Sequence, residues 1–243
     1  MKKRIMLLVA VTGAAAAQAA EFHVTSAQEL QNALTTAAAN GEGDTVYVAA
    51  GYYTGNFNFN SAEAQSLTIQ AESGVANTEV TIDGAGTGRS MNLTATAAAN
   101  LTVSGLTFTR NCAGDSNAGL RLSTGGGDVA VVNCRAIGVT SDKGIGIEVA
   151  SSARNVTVRG CLVTRDATSS GDGIFIISAT SAVLVEQNTV TGTTANSGGG
   201  IFATGGSAGT LAVSNNTVQG CYAYGNYSQG GGIYCSGGSA TIS

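Results

Sequence analysis

Few residues in this chain carry reactive chemistry, and their spacing narrows what that chemistry could be. The single histidine, His23, has no second imidazole with which to share a proton-transfer step. Asp115 and Asp142 stand 27 residues apart, with Lys143 and Asp166 or Asp172 close by in sequence. If 27 residues is a structural repeat, the two aspartates stack, and stacked carboxylates are the start of a Ca²⁺ site, which takes about six to eight oxygens. The same position continues as Ser169, Asn196 and Ser228, the composition of an ordinary polar turn. Calcium held by Asp115 and Asp142 is therefore one expectation and a solvated turn the other.

A second set of residues recurs at the same interval. Arg121, Glu148, Phe175, Phe202 and Tyr234 fall at one position of successive repeats. Arg121 with Glu148, and Arg159 with Glu186 on another row, make cross-strand ion pairs worth under about 1 kcal/mol at a surface. Phe175, Phe202 and Tyr234 are expected as three stacked, outward rings in a chain of only 5% aromatics. Such rings form a platform for sugar rings or a partner surface, or else a ladder that stacks on itself or lies under a loop such as Tyr222 to Tyr227.

A third set should face inward. Cys134, Cys161, Asn188 and Asn216 share a position. The two asparagines are expected to form an internal amide ladder with the two cysteines above it, a structural role in which stacked amides satisfy one another along the strand spacing. Five cysteines leave at least one unpaired. Stacking would bring Cys134 and Cys161 to disulfide range, but with parallel side-chain vectors, so buried free thiols are an equal alternative. Cys221 and Cys235 could pair across the longer last repeat, leaving Cys112 over. None has a histidine partner, which argues against a nucleophilic cysteine.

The elements that must position these residues follow from the repeat itself. Gly-Leu or Gly-Ile recurs at Gly119, Gly146, Gly173, Gly200 and Gly232, in steps of 27, 27, 27 and 32 residues. A second apolar pair keeps phase at Val129/Val131, Val156/Val158, Val183/Val185 and Leu211/Val213. These are short period-2 strands separated by Gly, Ser, Thr and Asn turns, too closely spaced for a strand–helix–strand unit. Each strand stacks on its copy in the next coil, giving parallel sheets wound as a solenoid of about 27 residues per coil. The chain contains no proline, which suits strands that use every N–H in a ladder. The consensus residues of leucine-rich repeats and of propeller blades are absent.

The ends read differently. Lys2, Lys3 and Arg4, the apolar run Ile5 to Ala16 and Ala17-Gln18-Ala19 have the pattern of a secretory signal peptide over residues 1–19, and the apolar run is shorter than the roughly 20 residues of a spanning helix. Its removal takes the net charge from −4 to −7 and leaves Lys143 as the only lysine, so nucleic-acid binding through a basic patch has no support. Residues 20–43 are expected to form a strand–helix cap, with Ser26 as N-cap and Glu29 three residues on. Residues 44–243 are the coils. Ala240 to Ser243 align with Leu211 to Ser214, so the solenoid is expected to be open at its C-terminus, with further coils, a catalytic segment or an outer-membrane anchor to follow in the native protein.

The run from Phe22 to Gly51-Tyr52-Tyr53, with Leu67-Thr68-Ile69, Val80 to Gly84 and Leu101 to Phe108, resembles the opening of right-handed parallel β-helix proteins of the pectate-lyase-like superfamily. Gly199-Gly200-Ile201, Gly231-Gly232-Ile233-Tyr234 and Ser214-Asn215-Asn216-Thr217 are similar to the repeats of polymorphic outer-membrane proteins and autotransporter passengers. The resemblance implies an all-β, right-handed parallel β-helix. It specifies the fold more sharply than an activity. Glycoside hydrolysis needs two carboxylates across the bond, and the chain has no adjacent aspartate pair and no Gly-His-Gly. The proline-containing signature of the Ca²⁺-dependent lyases cannot occur without proline, and no esterase-type motif matches. The function expected is an exported cell-surface or extracellular scaffold for adhesion or contact with a polysaccharide or host glycan. The alternative is a polysaccharide lyase or hydrolase whose site is incomplete here.

Overall fold

A computed structural model describes residues 19–109, 118–139, 145–150, 152–165, 171–195, 199–206, 209–223 and 231–243. The expected leader, apart from Ala19, lies outside them. So do Asp115, Asp142, Lys143, Asp166 and Cys112.

The chain winds as a parallel β-solenoid, as the repeat predicts. Three sheets run the length of the coils. Among the described residues, sheet 1 has nine strands, from Glu21–Val24 to Ser239–Ile242. Sheet 2 has seven, from Gly51–Thr54 to Thr217–Gln219, and sheet 3 has seven, from Phe57–Ser61 to Ile233–Ser236. Among the described residues the pairings between successive coils are parallel, and the register slips only beyond Ile137 in sheet 2 and beyond Ile176 in sheet 3; in sheet 1, for example, Val103 pairs with Val131, Val131 with Val158, Val158 with Val185 and Val185 with Val213. Val46, Ile69, Val103, Val131, Val158, Val185 and Val213 are all buried. Period-2 alternation thus becomes a column of stacked branched side chains, the packing that β-branched residues suit best on a pleated surface.

The corner between sheets 1 and 2 turns on one residue per coil. Gly105, Asn133, Gly160, Gln187 and Asn215 hold φ between 52° and 70°. A left-handed residue swings the chain sharply, and glycine or asparagine adopts it at least cost. The next residue points inward, and this is how Leu106, Cys134, Cys161, Asn188 and Asn216 come to share a column.

At the N-terminal end, the strand Glu21–Val24 extends sheet 1 and the helix Ala27–Ala37 closes the core. Ser26 Oγ accepts the Glu29 N–H at 3.3 Å, while the Glu29 carboxylate reaches back to the Thr25 N–H at 2.8 Å. These bonds satisfy donors at the start of the helix. Leu30, Ala33, Leu34 and Ala37 face the first coil and are buried. Among the described residues no helix is long and apolar enough to cross a membrane.

Neighbouring coils are also tied at the entry to sheet 1. Arg154 donates to both carboxylate oxygens of Asp128, at 2.9 and 2.7 Å, and the Asn155 amide donates to the same group at 2.9 Å. The Arg154 hydrogen bonds hold the Asp128 carboxyl below its ordinary range. Asp44 differs: burial raises its pKa. A depressed carboxylate stabilises the fold above its unfolded-state pKa, and that stability is lost as pH falls through the folded-state value. The raised Asp44 acts in the opposite sense, since its ionisation in the fold costs stability that acid returns. Asp128→Asn is therefore expected to lower the melting temperature at neutral pH, where the Asp128 tie is fully formed, and to change it little in strong acid, so that the acid limb flattens. An unchanged acid limb would show that the Asp128 tie does not contribute.

Candidate functional site

Sheet 3 carries one outward residue per coil in an unbroken column. Asn58, Asn92, Arg121, Glu148, Phe175, Phe202 and Tyr234 are successive register partners. The column is polar over its first coils, charged in the middle and aromatic over the last three. The glycine two residues before each member from Arg121 to Tyr234 marks the corner where the chain enters the strand. At Gly146, Gly173 and Gly200 a Cβ would lie 2.3–2.5 Å from a valine methyl of sheet 2 and 2.4–2.7 Å from a backbone carbonyl of the next coil. The Gly-Ile pair visible in the sequence is thus a steric requirement, and it fixes the phase in which the following side chains point out.

The structure brings Phe175, Phe202 and Tyr234 together. Phe175 and Phe202 stack at 4.8 Å between centroids and 21° between planes, and Phe202 and Tyr234 at 4.9 Å and 18°. The spacing is that of the strands themselves. All three rings are half-buried rather than fully outward, because each covers part of its neighbour's face. They turn their edges to solvent.

The centre of the column is more buried than a surface ion pair. Glu148 is only 7% exposed. Arg121 Nε approaches its carboxylate at 3.3 Å and Arg89 Nη2 at 3.8 Å, while Arg121 Nη1 donates to Asn92 Oδ1 at 3.3 Å. The pair of Arg121 and Glu148 expected at the surface is therefore part of a cluster partly withdrawn from water, where losing one partner strands a desolvated charge. Burial lowers the Arg89 pKa, and the neighbouring Glu148 opposes that shift. Arg159 and Glu186, by contrast, do meet near the surface, at 3.3 Å.

Arg89 is the residue that sequence reasoning missed. It lies 32 residues before Arg121, outside the 27-residue step, and enters from the turn before Met91–Ala95 instead of from a strand. Asn58 and Asn92 were hidden for a related reason, since the early coils differ in length. Their alternation with Phe57, Phe59, Met91 and Leu93 was the only available signal.

The inward column has a different chemistry. Asn188 Nδ2 donates to the Val158 carbonyl at 2.9 Å, its Oδ1 accepts the Cys161 N–H at 2.8 Å, and Asn216 Oδ1 accepts from Asn188. Asn216 Nδ2 donates to Val185 O at 2.8 Å. Cys161 and Cys134 use the same geometry more weakly, each with Sγ 3.6 Å from the valine carbonyl of the preceding coil. Both are free thiols, and so are Cys221 and Cys235, so the cross-coil disulfide entertained for that second pair is not formed. Complete burial pushes the Cys134 thiol well up and keeps it protonated. This column holds coils together, with Cys134, Cys161 and Asn188 buried and Asn216 half-buried.

Asp115 and Asp142, proposed for calcium, lie outside the described residues. Among the described residues no group of three or more His, Cys, Asp or Glu side chains is placed to hold a metal ion. His23 stacks on Tyr47 at 4.8 Å and meets Glu72 Oε1 at 3.1 Å, a surface arrangement of the cap.

A search of curated proteins finds no match to the chain. The family model described as a right-handed β-helix region matches residues 40–190. That span covers the coils from the strand Asp44–Val48 to Thr189–Thr191, and together with the parallel register it places the chain in the right-handed β-helix family.

Proposed function

We propose that the protein is an exported β-helix scaffold that contacts polysaccharide through the outer face of sheet 3. The observation that carries this reading is the column of half-buried rings continuing, in register and one residue per coil, into Glu148, Arg121 and Asn92. Apolar ring edges beside amide and guanidinium donors, on a rigid parallel sheet, offer a sugar both its apolar C–H surface and its hydroxyls a complement. Extended polymers suit a row of such groups better than a closed pocket does. The leader-like N-terminus supports the exported part of the reading.

The test is a screen of the purified chain against acidic and neutral polysaccharides, scored for retention, for unsaturated products in the ultraviolet and for new reducing ends. Retention without turnover is expected. Phe202→Ala, which removes the middle ring, should weaken retention about tenfold, the scale of an aromatic contact of roughly 1.5 kcal/mol, with the circular dichroism spectrum unchanged. Turnover of any polymer would overturn the scaffold reading, and unchanged retention in Phe202→Ala would remove the rings from the site.

A further inference from the structure

The middle of the sheet 3 column holds an acceptor that lacks a donor. Glu148 is 7% exposed, and its carboxylate is approached from two sides, by Arg121 Nε at 3.3 Å from Oε1 and by Arg89 Nη2 at 3.8 Å from Oε2. The second separation is too long for a hydrogen bond. Among the described residues no donor bonds Glu148 Oε2, although the atom is buried. A buried oxygen in this state is costly, and such groups ordinarily have a partner to supply the missing bond.

Arg89 reaches Glu148 from the turn before Met91–Ala95 and its side chain is 29% exposed, so its guanidinium can give way where a strand residue cannot. A hydroxyl seated between Arg89 Nη2 and Glu148 Oε2 accepts from the first and donates to the second, as a bridging water does across a polar gap of this length. An ionised carboxylate only accepts, and it would lie against the like charge of Glu148. Hydroxyls also continue the site sideways. Thr94 and Ser123, register partners two residues after Asn92 and Arg121, are half-buried on the same outer face.

From this geometry we infer that the polysaccharide is a neutral one, a sugar hydroxyl bridging Arg89 and Glu148 while the polymer continues over Phe175 and Phe202. The inference rests on the glycan reading above and adds to it the class of sugar. Uronate and sulfated polymers are refused because both arginines here already face Glu148, so an anionic sugar gains no cation that is not answered. The chain's formal net charge of −4 repels a polyanion at longer range as well.

Titration calorimetry of the purified chain with cellohexaose and xylohexaose, against hexagalacturonate of the same length, tests this. A neutral hexamer is expected to bind about tenfold or more tightly than hexagalacturonate. Glu148→Gln removes the charge and keeps the shape, leaving Arg89 and Arg121 to pair with a sugar carboxylate. It is expected to bring the two classes within about threefold of one another, chiefly through a gain in hexagalacturonate binding. If Glu148→Gln does not fold, the comparison in the parent chain decides alone. Hexagalacturonate bound by the parent chain as tightly as the neutral hexamers, or an unchanged preference in folded Glu148→Gln, would overturn the inference and leave the glycan reading in place. Binding of neither class would overturn the glycan reading itself, and this inference with it.

Discussion

Replacing Gly173 with alanine is expected to destabilise the protein by about 3 kcal/mol or more, at the upper end of what overpacking costs. The added Cβ would sit 2.3 Å from Val190 Cγ1 and 2.5 Å from the Gly200 carbonyl oxygen. Neither can yield cheaply. Val190 is fully buried, and its branched side chain has few alternative rotamers. The Gly200 oxygen accepts the Ile174 N–H at 3.0 Å, so moving it opens the ladder that joins two coils of sheet 3. Gly232 provides the control. It holds the same place in the repeat, but the nearest atom to its Cβ would be Val218 Cγ1 at 3.9 Å, an ordinary contact. Gly232→Ala should therefore be neutral or slightly stabilising through the unfolded chain. Urea midpoints of the two variants settle the matter: equal shifts, or a wild-type midpoint for Gly173→Ala, would mean that the glycine stack reflects composition and not packing.

That contrast also shows what a sequence of this kind reveals. The repeat of Gly173-Ile174 and its copies exposed the coil length, the inward and outward phases and the ring column, because stacking forces each coil to repeat its neighbour's constraint. The same logic fails where the constraint is not periodic. Before Gly119 the coils vary: Val46 pairs with Ile69 and Ile69 with Val103, unequal steps that no fixed interval would find. Arg89 reaches Glu148 from a turn of such a coil, so the cluster could not be assembled from spacing. Its burial was equally hidden, since alternation marks Glu148 as outward and says nothing of what lies over an outward face. Ring orientation falls in the same class. Phase places Phe175, Phe202 and Tyr234 in one row, and only the packing shows that their faces are spent largely on one another.

The inward column, by contrast, could be read from sequence, and it carries the second large effect. Asn188→Ala is expected to cost about 2–4 kcal/mol, which for a domain of this size lowers the melting temperature by roughly 4–16 °C. Asn188 is 1% exposed, so water cannot take over its role. Its loss leaves the Cys161 N–H and the Val158 carbonyl without the partners they have at 2.8 and 2.9 Å. Each such buried group costs about 1–3 kcal/mol when stranded. The Asn216 amide keeps the Asn188 backbone N–H, at 2.9 Å, so the damage is directed toward the coil of Cys161 and not toward the coil of Asn216. The protein's own column indicates the milder substitution. Cys134 and Cys161 already fill this place with a thiol against a valine carbonyl, so Asn188→Cys should retain part of the donor function and cost less than Asn188→Ala. Hydrogen exchange separates this mechanism from general loosening. In Asn188→Ala the Cys161 amide should lose protection selectively, while amides of the first coils keep theirs. Uniform loss of protection, or a Cys161 amide as slow as in the parent chain, would show that the amide ladder is not what joins these coils.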